Sequence, residues 1–143
     1  MIVTHRPARP DDAREIVPRL RARDLAGLGT VGDPAQVVRD GLESSIAAWA
    51  VLADGEIAVL FGFRVVMLLD DQVYLWMLGT RTIDEHPVTF LRKSRGVVGL
   101  LRKHYRLVYG EVASDYERSI RWLTWMGGKV SAGPEPGRLV FTL

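Results

Sequence analysis

The chain of 143 residues has no cysteine. No disulfide, thiolate nucleophile or cysteine-held metal is therefore possible, and nothing argues for an oxidising compartment. Long apolar runs are missing too. The longest uncharged one, "IAAWAVLA" (46–53), falls far short of the ~20 residues a membrane helix needs. The start, "MIVTHRPARPDD", has no apolar signal core, and a cytoplasmic protein is expected. No pair of His, Asp and Glu has metal-ligand spacing. Internal repeats, low-complexity tracts and linkers are also lacking, so 1–143 reads as a single domain.

What is present is ordinary in bulk and uneven in detail. A hydrophobic fraction of 48% and a charged fraction of 25% suit a globular chain. The formal charge of +2 is too small to imply nucleic-acid binding from totals. Acids, however, vanish locally. From Pro87 to Gly110 there are six Lys or Arg and no Asp or Glu, an imbalance that attracts anions.

Periodicity orders the elements. "MIVTHRP" reads as a strand and "RPDDAREIVPRL" as a helix with Asp11, Asp12 and Glu15 in its first turn. Its stripe is Ala13, Ile16, Val17 and Leu20, and Pro18 kinks or ends it. "LAGLGTVGD" reads as a glycine loop. "DPAQVVRDGLESS" is a helix with Asp33 as N-cap and Pro34 at the first helical position. "IAAWAVLADGEIAVLFGFRVVMLL" holds two strands joined at Asp54-Gly55. "DDQ" turns into "VYLWMLGT", a central strand buried on both faces.

The basic stretch "FLRKSRGVVGLLRKHY" puts Phe90, Leu91, Ser94, Val97, Val98, Leu101 and Tyr105 on one face. Arg92, Arg95, Gly99, Arg102, Lys103 and Arg106 lie beside it. One unbroken amphipathic helix from near Pro87 is the expected form. The basic side reads as a phosphate site, a solvated face or a docking surface for a partner protein or nucleic acid, and spacing does not choose among them. Nucleic acid ranks last and is not expected as a partner, because the stretch lacks interleaved aromatics and the whole chain lacks a basic balance. "RLVYGEVA" is a strand. In "SDYERSIRWLTWMGG", Ser114 and Glu117 form a capping box, Tyr116, Ile120 and Leu123 a stripe, and Gly127-Gly128 a stop. "KVSAGPEPGRLVFTL" gives two last strands. The fold class is α/β with a mixed sheet, in the order β-α-α-β-β-β-α-β-α-β-β.

That order, together with "RPARPDDAREI" and "EVASDYERSIRWLTWMGG", resembles the GNAT N-acetyltransferase superfamily over nearly the whole chain. "LWMLGT", "HPVTFLRKSR" and "SIRWLTWMG" are most similar to its phage internal-virion-protein-A-like proteins. The resemblance implies an acetyl-CoA-dependent N-acetyltransferase acting on an unknown amine. Its alternative is a non-catalytic phage or prophage protein that binds phage or host proteins, in the bacterial cytoplasm or in the virion.

For the CoA phosphates the resemblance offers "KSRGVV", hence Lys93 and Gly96 with Arg92 and Arg95. For the thioester carbonyl it offers the backbone of Met77, Leu78 and Gly79. The usual strand glutamate falls on Trp76, which leaves Glu111 as candidate base. The usual asparagine and tyrosine of the last helix fall on Tyr116 and Leu123. Trp122 and Trp125 read as core or interface aromatics. His86 is expected to cap the helix that follows it, while His5 and His104 have no evident partner.

Overall fold

A computed structural model describes residues 1–67 and 71–143. It shows a seven-stranded mixed sheet of order β1-β2-β3-β4-β5-β7-β6 with six helices. The chain divides into two compact units, 1–64 with 76–86, and 65–75 with 87–143.

In the first unit, β1 (Val3–Pro7), β2 (Ala47–Ala53) and β3 (Glu56–Met67) form an antiparallel meander. The β2–β3 hairpin turns at Asp54 and Gly55, whose φ angles of 50° and 85° are those of a primed turn, as the Asp-Gly pair requires. Helix α1 (Asp12–Ile16) gives way at Pro18 to a 3₁₀ turn, Val17–Arg19. Proline has no N–H to continue the α-helical ladder. Ala13, Ile16 and Leu20 pack with Val38, Ala50, Ile57, Leu60 and Leu78 in the core. Helix α3 (Pro34–Ser44) starts as expected, with the Asp33 carboxylate accepting from the Ala35 N–H at 3.3 Å.

The expected glycine loop is partly wrong. Ala22–Gly27 forms a short helix, α2, and only the residues after it are irregular. A second short helix, α4 (Arg81–Glu85), has no counterpart in the periodicity reading. Five or six residues are too few to show a stripe, and both helices are fixed by tertiary hydrogen bonds. Leu68, Leu69 and Asp70, at the end of the second expected strand and in the "DDQ" turn, lie outside the described residues.

Strand β4 (Gln72–Gly79) is fourth of seven and has no exposed residue, in keeping with its apolar sequence. In the second unit it pairs in parallel with β5 (Leu107–Ala113) from Gln72–Leu107 to Tyr74–Tyr109. Between them in sequence runs α5 (Pro87–His104), 18 residues without a break. Phe90, Leu91, Val98 and Leu101 are its buried face. The expected continuous helix is therefore found, and Lys93 to Gly96 lie within it.

Helix α6 is shorter than its sequence suggests, spanning Glu117–Trp125. Strand β5 runs to Ala113 and a turn follows, with Tyr116 N–H bonded to Ala113 O at 3.0 Å. Ser114 thus falls outside the helix, its own N–H goes to Gly137 O, and no capping box forms. The stop is as expected. Gly127 has φ 87°, and Gly128 N–H reaches back to Leu123 O at 2.9 Å, the six-to-one bond of a glycine-ended helix. Strands β6 (Lys129–Ala132) and β7 (Arg138–Thr142) complete the sheet. Val112, Leu123 and Phe141 centre this unit's α6-side core, with Tyr116 and Ile120 packed on it.

Candidate functional site

The C-terminal end of β4 is held by a buried polar cluster within the first unit. Arg21 is 6% exposed and begins α2. Its backbone N–H bonds Gly79 O at 3.0 Å, and its Nε donates to Asp24 Oδ2 at 2.6 Å. Nη1 donates to Asp84 Oδ1 on α4 at 3.0 Å. Asp24 Oδ2 also accepts the Gly79 N–H at 3.2 Å. One residue on, Thr80 N–H and Oγ1 both donate to Ala58 O at 3.0 Å. Burial pushes the Asp24 carboxyl above its ordinary pKa, outweighing the opposite pull of Arg21 and of the Gly79 N–H.

Among Met77, Leu78 and Gly79, therefore, the glycine has both backbone groups committed. A Cβ in place of its hydrogen would overlap Ile83 Cδ1 and force that side chain to move. Trp76, at the strand position that the family resemblance gives to a glutamate, has a structural task. Its Nε1 donates to Ser45 Oγ at 2.7 Å, and its ring lies where a Cβ on Gly62 would be, 2.8 Å away.

In the second unit, α5 presents Arg92, Lys93, Arg95 and Gly96 to solvent. Gly96 has nothing within 4 Å of a built Cβ, so no loop folds around it. Val98, which the loop pattern would set against a phosphate, is 6% exposed and points into the core. The residues fit a phosphate by side-chain charge; a backbone cradle would need the helix to begin later. Arg95 Nη2 donates to Trp125 O, at the end of α6, at 2.8 Å.

Glu111 lies on β5 with an exposed side chain, and its Oε2 is 3.8 Å from Arg138 Nη1 on β7. Leu123 is core and Tyr116 packs beside it. Trp122 is half-buried with no acceptor for its Nε1 among the described residues, while Trp125 is exposed. His5, unassigned from sequence, meets Trp49 edge to face at 5.9 Å between ring centres. The cluster Arg21–Asp24–Asp84 is not legible in the sequence, because three charges spread over sixty residues leave no local pattern.

Among the described residues, no three His, Asp or Glu side chains are grouped to hold a metal ion, and no helix is long and apolar enough to cross a membrane.

No protein-family model matches the chain, and no curated protein matches it. Its likeness is to solved structures. A GNAT-family acetyltransferase from Streptococcus pneumoniae superposes with a TM-score of 0.69 at 13% identity, covering 99% of both chains. The ribosomal-protein-S18-alanine N-acetyltransferase of Escherichia coli gives 0.68 at 14% identity, over 99% of this chain and 93% of its own. An aminoglycoside acetyltransferase solved with coenzyme A gives 0.74 at 17%, over 99% and 93%. The chain has the GNAT fold.

Proposed function

We propose that the protein is an acetyl-CoA-dependent N-acetyltransferase acting on an amine, with residues 1–143 as one GNAT-like domain. The observation that carries this reading is the parallel β4–β5 pairing, set among antiparallel β1–β2, β2–β3, β5–β7 and β6–β7 pairings, with a register that ends at Tyr74–Tyr109 while both strands run on. Such a sheet leaves the backbone of the later β4 residues as the natural donor to a thioester carbonyl. The structural likeness to acetyltransferases, one of them solved with coenzyme A, supports the co-substrate.

Acetyl-CoA supplies an electrophilic carbonyl and a thiolate leaving group. The chain's part is modest. Gly79 N–H is engaged by Asp24, so the carbonyl contact is assigned to Met77 or Leu78. Arg92, Lys93 and Arg95 supply positive charge to the phosphates, and Gly96 leaves open space beside them. Glu111 is the candidate to take the amine proton. Leu123 offers no acid, so water protonates the departing thiolate and the proton balance closes through solvent. Holding the two reactants together is then most of the catalysis.

Arg92→Glu combined with Lys93→Glu tests the binding arrangement, because both side chains are exposed and the helix tolerates the change. The pair should abolish the thermal shift that acetyl-CoA gives the parent chain. An unchanged shift places the phosphates elsewhere, whereas Gly96→Trp, mid-helix and solvent-facing, should be nearly silent.

A second reading is favoured by the unbroken course of α5 through Lys93–Gly96 and by the engaged Gly79. In it the GNAT fold is kept for interaction, as a phage or prophage morphogenesis protein in the host cytoplasm or the virion. The phage-like "LWMLGT", "HPVTFLRKSR" and "SIRWLTWMG" segments support this. It requires that acetyl-CoA produce no shift at any concentration.

A further inference from the structure

Charge is divided unevenly along the chain. Residues 65–75 and 87–143 hold ten Lys or Arg against six Asp or Glu, whereas the remainder holds nine against eleven. Helix α5 has five of those cations and no acid. Arg95, Gly99 and Arg102 follow one another at four and three residues, which lines them up along one side of the helix. All three are exposed, and the glycine leaves open space between the two guanidinium groups.

At Arg95 this row meets an aromatic. The hydrogen bond to Trp125 O fixes the Arg95 guanidinium beside a tryptophan that is 62% exposed. Arg121, one turn earlier on α6, is also exposed on that side. Capping the last carbonyls of α6 accounts for Arg95 alone. It explains neither Arg102 nor a tryptophan left in water.

We infer that the α5–α6 face made by Arg95, Gly99, Arg102, Arg121 and Trp125 binds single-stranded nucleic acid. Guanidinium groups pair with phosphates, and the Trp125 ring is a platform for an unpaired base. A duplex keeps its bases stacked and gains only the charge contacts. An acidic peptide likewise leaves the ring unused. The face shares only Arg95 with the acetyl-CoA reading; Arg102, Arg121 and Trp125 lie outside the residues offered to CoA, and the variants below are confined to them.

The test is fluorescence anisotropy with a labelled oligothymidylate of about 15 nucleotides. Binding should weaken with salt with a log–log slope of about −2 for three arginines, read between about 50 and 200 mM. Trp125→Ala should weaken binding about tenfold with the slope unchanged. Arg102→Glu should weaken it and flatten the slope. Both side chains are exposed, and circular dichroism with an unchanged melting temperature checks that the fold survives. Flat anisotropy at low salt overturns the inference. So does a Trp125→Ala chain that binds like the parent, or equal affinity for a duplex or for polyglutamate. Acetyl-CoA titrations of the same variants should match the parent, so failure of one reading leaves the other standing.

Discussion

Asp12 is 3% exposed and holds three hydrogen bonds: Arg6 Nη1 and Nη2 donate at 2.8 and 2.9 Å, and the Arg9 N–H at 2.7 Å. Burial pushes this carboxyl up, but Arg6 and the Arg9 N–H together outweigh it and hold it below the usual carboxylate range. Its contribution is therefore complete above the unfolded value, about 3.9, and is lost as pH falls through the folded one. Asp12→Ala should cost about 2 kcal/mol in urea unfolding at neutral pH, less than a fully buried pair because Arg6 keeps 24% exposure. Glycines give the opposite pair of outcomes. Gly96→Ala, in open helix, should stabilise by about 0.5–1 kcal/mol. Gly110→Ala should destabilise by about 1–3 kcal/mol, because its Cβ would strike the Phe141 ring and lie 2.6 Å from Leu75 O. Chemical denaturation of the two variants checks both signs.

The elements that were legible were those long enough to repeat a pattern. Helix α5 shows its buried face through six apolar or small residues from Phe90 to Leu101, and α3 announces its start with Asp33-Pro34. Helices α2 and α4 were not legible, since their reason to exist is the Arg21–Asp24–Asp84 cluster that ties both to the end of β4. The start of α6 misled for a related reason. "SDYE" satisfies the capping pattern, but β5 and its turn consume Ser114 first. The candidate site fared likewise. Its basic residues were visible in sequence, whereas the engagement of Gly79 was not. Asp24 tests this clamp at the scale of the element. Its raised pKa means that the folded state binds the proton more tightly. Stability should thus fall as pH rises from about 3.9 through the folded value, and level off above it. The parent's stability relative to Asp24→Asn should decline over that window. A difference that grew with pH would show that the pairing with Arg21 outweighs burial.

Across the whole molecule, the seven-stranded sheet has the GNAT fold, and several residues that the family resemblance places at a site have structural positions in it. Trp76 packs on Gly62, Leu123 fills a core, and Lys93 to Gly96 are turns of a helix. In the proposed function, catalysis would rest on backbone donors, charge and proximity, all of which require that acetyl-CoA bind first. Isothermal titration of the full chain with acetyl-CoA, paired with its melting temperature, measures that step without knowledge of the acceptor. Saturable heat is expected and, at about 100 times Kd, a stabilisation of about 2.7 kcal/mol. No heat and no shift from the folded protein at millimolar acetyl-CoA would contradict the proposed function.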